Sequence, residues 1–310
     1  MHKINKLQIV ITAYKVPGTV RELVTEITKQ ILRCKRMGCF QEAEIILVAP
    51  DAETLKAGME SDKLNLLKVV QDKGEGKPAA LNGILKMLDA DVVIFTDGDV
   101  KWGSDVISPL LDKLFSAPQI GAVTGRPLPI NSRQSLFGYW AWLTTQEGAH
   151  QTRLKNSLSG KFVNLSGYLF AIKREYLPEK IPHELLAEDV YISYIVYKKG
   201  GVVSYAPDAL VYVVFPKNFK DWINQKKRAA GGDYQLKGMF DGMASMRSFT
   251  KEAKGVLSAL LYATSVKELF WSFLLILARL YMWFLIFWEQ KIKKKNPRDI
   301  WVRIESTKRV

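Results

Sequence analysis

The stretch VVIFTDGD at 92–99 decides how this chain folds. Five apolar or β-branched residues end abruptly in Asp97-Gly98-Asp99, the pattern of a buried strand running into a turn. Three further runs have the same character: LQIVITA at 7–13, IILVA at 45–49 and IGAVT at 120–124. Helical patterns at Thr19–Met37 and Pro78–Leu88 lie between them. Residues 1–130 therefore predict alternating β and α elements around a mostly parallel, open α/β sheet. In such sheets ligands sit beyond the carboxyl ends of the strands. The residues to read for chemistry are then Ala13-Tyr14, Pro50-Asp51 and Asp97-Gly98-Asp99.

Two carboxylates flanking a glycine at a strand end repel each other unless a cation holds them. Mg²⁺ and Mn²⁺ take carboxylate oxygens together with substrate phosphates, so the pair predicts a metal–diphosphate site; a turn with a helix N-cap is the plainer reading of the same residues. Other phosphate-binding classes are disfavoured. Gly74-Glu75-Gly76-Lys77-Pro78 lacks the Ser or Thr of a P-loop after its Lys, and the first strand runs into TAYKVPG in place of a dinucleotide fingerprint.

The chain has 310 residues, is 48% hydrophobic and 25% charged, and carries a net charge of +14, so disorder and fibres are excluded. Residues 251–310 hold twelve Lys/Arg and five Asp/Glu, which is +7, half of the excess. The other half is diluted over 250 residues, so no nucleic-acid partner is expected. Cys34 and Cys39 are too few for a disulfide scaffold, and His2, His150 and His183 form no zinc pattern. The start, MHKINKLQIV, shows no secretory signal, which places the catalytic part in the cytoplasm as an expectation.

Residues 131–250 mix an aromatic stretch at Phe137–Leu143, a strand-like GYLFAIK, a helix around 187–199 and a strand pair near 202–214. Read in order, GKPAALN at 76–82, the D-G-D at 97–99, SGYLFAIKRE at 166–175, AED at 187–189 and QKKR at 225–228 resemble the inverting nucleotide-sugar glycosyltransferases of family 2. The resemblance covers roughly residues 7–235 and implies a GT-A fold, a Rossmann-like α/β architecture. It implies that Ala13, Tyr14, Asp51, Lys77, Asn82, Asp97 and Asp99 bind the nucleotide-sugar, with Asp99 and Asp97 on the Mg²⁺ or Mn²⁺. It further implies that Asp189 is the catalytic base with Glu188 beside it. Gln225 and Arg228 match the Q-x-x-R of the Q-x-x-R-W signature of polysaccharide-synthase-like members, near the diphosphate and acceptor. The chain departs at Lys15, where the family has Asn, and at Ala229, where it has the acceptor-stacking Trp.

The residue chemistry agrees with those roles. A leaving diphosphate gains negative charge that a cation at Asp99 and the Arg228 guanidinium stabilise. A neighbouring Glu188 raises the basicity of Asp189, although an acidic pair at a helix start also serves the macrodipole. A hydroxyl acceptor needs a base and a polyprenyl phosphate does not. The retained Asp189 thus predicts a glycan or lipid-linked hydroxyl acceptor, with a polyprenyl-phosphate transferase or an inactive binding subunit as the alternatives.

Leu269–Trp288 is apolar or aromatic but for Ser272, Ala278 and Arg279, and its twenty residues match a bilayer core. Lys291, Lys293, Lys294 and Lys295 follow it, on the wrong side for a simple span of a cytoplasmic enzyme. The expectation is C-terminal membrane-associated helices, either interfacial or a re-entrant hairpin with Val256–Val266 as its other limb, broken at Lys267-Glu268. Phe137–Leu143 reads equally as a headgroup-level helix and as a core helix. Three regions follow: 1–130 binding the nucleotide-sugar, 131–250 binding the acceptor, and 251–310 meeting membrane lipids.

Overall fold

The computed structural model describes residues 4–240, 242, 246, 260–288 and 304–307. Four parallel strands form its first half: β1 (Ile4–Thr12), β2 (Phe40–Ala49), β3 (Leu67–Gln71) and β4 (Val92–Asp97). The helices between them are α1 (Pro17–Arg36), α2 (Ala52–Ser61) and α3 (Lys77–Ile84). Proline in the first turn of α1 and Arg33, Lys35 and Arg36 in its last suit the missing donors and the negative end of the helix.

The chain continues through β5 (Lys101–Trp102), α4 (Ile107–Leu114), β6 (Ile120–Pro129), α5 (Leu136–Leu143), a π-helical stretch over Thr144–His150 and α6 (Gln151–Leu158). It then forms β7 (Leu169–Lys173), α7 (Glu188–Lys198), β8 (Val202–Val213) and α8 (Phe219–Met239). One eight-stranded sheet with the order β3-β2-β1-β4-β7-β6-β8-β5 unites both halves. It is mixed: β7 runs antiparallel to β4 and β6, so the mostly parallel expectation holds for the first half alone.

Both faces of the sheet are covered, which explains unbroken apolar runs in place of alternation. Ile9 and Ile11 pack under α1 with Val20, Leu23 and Ile27, while Val10, Val93 and Phe95 face Leu81, Ile84 and Val196 on the other side. The expected strand pair near 202–214 is the single strand β8. Its APDA segment at 206–209 looks like a turn but is absorbed where the pairing with β6 shifts register, between Thr124–Tyr205 and Arg126–Leu210.

A third apolar cluster joins α5 and α8 to the final helix, α9 (Val266–Phe287). Tyr139, Trp140 and Leu143 are buried in it, so Phe137–Leu143 is a core helix. The chain leaves helix over 262–265, just ahead of the Lys267-Glu268 pair. Ser265 caps α9, accepting the Glu268 N–H at 3.2 Å, while Glu268 accepts the Thr264 N–H at 2.8 Å, which makes this pair the opening turn of one helix. Of the expected limb Val256–Val266, residues 256–259 lie outside the described residues, as do the lysines at 291–295 and the tail outside 304–307.

Candidate active site

The carboxyl ends of β1, β2 and β4 stand level, because Thr12 pairs with Val48 on one side and Asp97 on the other. The Gly98 N–H donates to the Thr12 carbonyl at 2.8 Å. A methyl group on Gly98 would lie 2.5 Å from Ala13 Cβ, so the glycine between the two acids is required by the close approach of the first-strand loop. Ala13 is thereby fixed against the D-G-D turn. Tyr14 is exposed, with the Lys15 ammonium 5.5 Å from its ring centroid.

Lys77 opens α3 directly after Gly76, whose φ of 103° favours glycine. Its ammonium donates to Asp97 Oδ1 at 2.5 Å and lies 2.9 Å from Glu188 Oε1. One lysine therefore joins the end of β4 to the start of α7, bringing the GKPAALN, D-G-D and AED segments into a single cluster. Asp189 follows: its Oδ2 accepts the Gly167 N–H at 2.8 Å and its Oδ1 accepts the Val190 N–H at 2.9 Å. A methyl group on Gly167 would sit 3.2 Å from Lys77 Nζ and 3.5 Å from Asp189 Oδ2, so this turn lines the cluster with bare backbone.

The side chains of Lys77, Asp97 and Glu188 are 27%, 24% and 12% exposed, so their charges are weakly screened. Burial pushes Asp97 up to about 6, helped by the neighbouring Asp99 and opposed by Lys77. Burial also raises Asp189, and the Glu188 carboxylate raises it further. Burial acts on Glu188 in the same direction, yet the attraction of Lys77 outweighs it and holds Glu188 below its ordinary value. Burial would lower Lys77, but Asp97 and Glu188 together hold it above the usual lysine range, so it stays charged.

Tyr168 belongs to this site and carried no role in the sequence reading. Burial, then the charges of Asp99 and Asp97, push its phenol up, so it is a hydrogen-bond donor at neutral pH. Its signal is the SGY that precedes β7, part of the SGYLFAIKRE motif that carries the family resemblance. Arg228 also acts electrostatically on Tyr168 and Glu188, which brings α8 to the cluster. Gln225 lies on α8 three residues earlier, on the same side of the helix. The approach of α8 depends on Gly232, where a methyl group would be 2.5 Å from Ala187 Cβ.

Two expected ligands have structural duties. Asp51 caps α2 through Thr54 N–H at 3.0 Å and accepts the Lys15 N–H at 2.8 Å, and these bonds outweigh burial to hold it below the ordinary range. Asn82 is paired to the Ile181 backbone at 2.7 and 2.8 Å through both ends of its amide, tying α3 to the segment before α7.

Among the described residues no group of three or more His, Cys, Asp or Glu forms a metal cage. The mutual repulsion of Asp97 and Asp99 is nevertheless what a hard divalent cation relieves, with diphosphate and water completing its shell. The donor set fits Mg²⁺ or Mn²⁺ bound together with a nucleotide.

Residues 5–232 match the family described as glycosyltransferase like family 2. The chain belongs to that family. Similar relatives of this family 2 chain include the poly-beta-1,6-N-acetyl-D-glucosamine synthase of Staphylococcus aureus, 24% identical over 179 residues, 56% of this chain and 43% of the relative. The synthase of Staphylococcus epidermidis is 24% identical over 202 residues, 64% of this chain and 49% of the relative. The chain thus spans less than half the length of these curated relatives. Among solved structures, a mannosyltransferase of Pyrobaculum calidifontis in complex with GDP-Man and Mn²⁺ superposes with a TM-score of 0.60 at 19% identity, covering 97% of this chain and 84% of its own. Glucosyl-3-phosphoglycerate synthase of Mycobacterium tuberculosis, with Mn²⁺ and UDP, gives 0.51 at 15% identity over 76% of this chain and 79% of its own. These likenesses establish the GT-A fold.

Proposed function

We propose that the chain is a membrane-associated inverting glycosyltransferase, moving a sugar from a UDP- or GDP-linked donor to a hydroxyl of a glycan or lipid-linked acceptor. The observation that carries this reading is the Lys77 bridge between Asp97 and Glu188, with Asp189 adjoining it beyond the strand ends. In this reading residues 1–130 hold the donor, with Ala13, Tyr14 and Asp51 toward the nucleoside, Lys77 and Asn82 shaping the phosphate side, and Asp97 and Asp99 toward the diphosphate. Residues 131–250 supply the acceptor half.

Asp189 takes the proton of the acceptor hydroxyl as its oxygen attacks the anomeric carbon, and the bond to the diphosphate breaks on the opposite face. The raised Asp189 suits that task, and two backbone N–H groups fix its orientation. Glu188 keeps its charge beside it and anchors Lys77. Arg228 and Lys77 meet the negative charge that grows on the leaving diphosphate. A divalent cation, when bound with the donor, supplies further positive charge to the same oxygens.

Membrane association rests on α9. It is long and apolar enough to cross a membrane, but a stripe of Ser272, Leu275, Ala278, Met282 and Ile286 packs on the catalytic domain. Phe270, Phe273, Leu277, Leu280, Phe284 and Phe287 are left exposed on its outer side. We read α9 as lying along the headgroup region with that side in lipid. The catalytic half then sits on the cytoplasmic side, where the free thiols Cys34 and Cys39 remain reduced.

Purified protein incubated with nucleotide-sugars and Mn²⁺ tests the reading. Release of nucleoside diphosphate that is lost in Asp99→Ala supports it. A lipid-phosphate acceptor, already ionised, is distinguished by Asp189→Asn, which in that case keeps near wild-type turnover.

A further inference from the structure

Residues 304–307, beyond α9 in the chain, dock at the start of α8. Ile304 is buried, and the Thr307 hydroxyl donates to its carbonyl at 2.8 Å, closing the segment into a single 3₁₀ turn, Glu305–Thr307. Two bonds fasten this turn to the catalytic domain. The Ser306 hydroxyl accepts the Lys217 N–H at 3.2 Å, and the Ser306 N–H donates to Asp221 Oδ2 at 3.1 Å.

These bonds are not needed to cap α8. Asn218 already does so, accepting the Asp221 N–H at 2.9 Å. The Asp221 carboxylate is turned to the tail, with the Asn218 amide donating to the same oxygen at 3.2 Å. Bonding from the Ser306 side chain outweighs burial, and the Ser306 N–H adds to it, so Asp221 is held below the ordinary carboxylate range and stays charged. A charged acceptor makes the stronger kind of hydrogen bond. Neighbouring helices hold the same turn by aromatic packing: Trp222 lies 5.2 Å from Trp140 of α5 and Phe219 lies 6.2 Å from Tyr281 of α9, centroid to centroid. Apolar contact resists separation but is non-directional, so the rotation and slide of α8 are left to its hydrogen bonds.

What this turn controls lies further along the same helix face. Asp221, Gln225 and Arg228 follow the i, i+4, i+7 spacing of one face, and Arg228 stands about 10 Å along the axis from Asp221. On its far side α8 is fixed by the close approach of Gly232 to Ala187. Arg228 is therefore suspended between a steric contact and the Ser306–Asp221 bond, and a tilt at either one reaches its guanidinium. We propose that residues 304–307 act as a strap on α8, with Asp221 and Ser306 as positioning residues that aim Arg228 at the leaving diphosphate. The aiming of Arg228 rests on the glycosyl-transfer reading; the hold of the strap on α8 does not.

Steady-state turnover, Mn²⁺-dependent nucleoside diphosphate binding and amide hydrogen exchange test this in the full chain. The proteins compared are wild type, Asp221→Ala, Asp221→Asn, Ser306→Pro and the Asp221→Ala/Ser306→Pro double variant. Turnover is expected to fall about tenfold in Asp221→Ala and in Ser306→Pro, since a misplacement of about 1 Å can cost about 10²-fold. The KM for donor and the affinity for diphosphate stay at wild-type values. Asp221→Asn keeps a carbonyl oxygen for the Ser306 N–H and retains most of the turnover. The double variant falls no further than either single one, because both remove the same bond. Exchange across residues 219–232 quickens in both single variants, which reads the strap's hold on α8 without donor or acceptor. Unchanged turnover in both single variants, turnover and donor affinity falling together, or additive losses in the double variant overturns the proposal. A wild type that transfers no sugar overturns the glycosyl-transfer reading together with the aiming of Arg228, and is told apart by exchange that still quickens.

Discussion

In the proposed reaction Asp189 is the residue that takes the acceptor proton. Its two oxygens each accept a backbone N–H, so Asp189→Asn, whose amide nitrogen cannot accept, gives up one of those bonds together with the proposed base. Turnover is expected to fall by about 10²–10⁴ with donor affinity retained, measured by steady-state kinetics beside nucleotide titration. Asp97 sets a pH limit. Its folded-state value of about 6 lies above the ordinary 3.8, so a proton competes for the carboxylate below pH 6 and metal–nucleotide affinity falls as pH falls. In the unliganded chain the sign is opposite: between 3.8 and about 6 the unfolded chain releases this proton first, and stability falls as pH rises. Titrating Mn²⁺ and nucleotide from pH 5 to 7.5 checks the first effect, and affinity that is flat across that range contradicts it. Gly98→Ala pushes a methyl group into Ala13, with an expected destabilisation of about 1–3 kcal/mol and weaker donor binding, read by denaturation and titration.

At the scale of elements, the site is an assembly of helix starts pressed against strand ends, and the contacts that set those angles are small residues. Gly232→Val should displace α8 from Ala187, lowering turnover more than donor affinity, because Arg228 moves while Asp97 and Asp99 do not. The same small contacts explain what the sequence makes legible. β1, β2, β4 and β6 are visible because strands buried on both faces read as unbroken apolar runs. β3 is not, since LKVVQ is short, sits at the sheet edge and is only half-buried. β8 reads as two strands because APDA has the composition of a turn, and only its pairing with β6 reveals one irregular strand. Individual acids are legible in D-G-D and AED. Their junction through Lys77 is not, because it depends on a separation of 20 residues to Asp97 and a different element for Glu188. The role of Tyr168 is likewise silent, because it is a phenol at a strand entrance whose acidic neighbours come from another element.

For the whole molecule, charge and apolar surface point to the same place. Excess basicity in the last sixty residues accompanies a helix docked on one side and bare on the other. Each basic side chain near an anionic bilayer contributes about 1 kcal/mol, and the exposed aromatic rings add apolar burial. Wild-type protein is expected to float with vesicles containing phosphatidylglycerol, and Phe270→Ser/Phe273→Ser/Phe284→Ser to remain in solution while still binding nucleotide. Flotation that is unchanged in the triple variant contradicts the assignment of α9. The central claim is that the acids gathered by Lys77 form a metal-dependent nucleotide-sugar site. Calorimetric titration of UDP and GDP with and without Mn²⁺, into wild type and Asp99→Ala, tests it most directly. Saturable binding of one nucleotide that requires Mn²⁺ and disappears in Asp99→Ala is the predicted result; binding that ignores the metal or survives the substitution contradicts it.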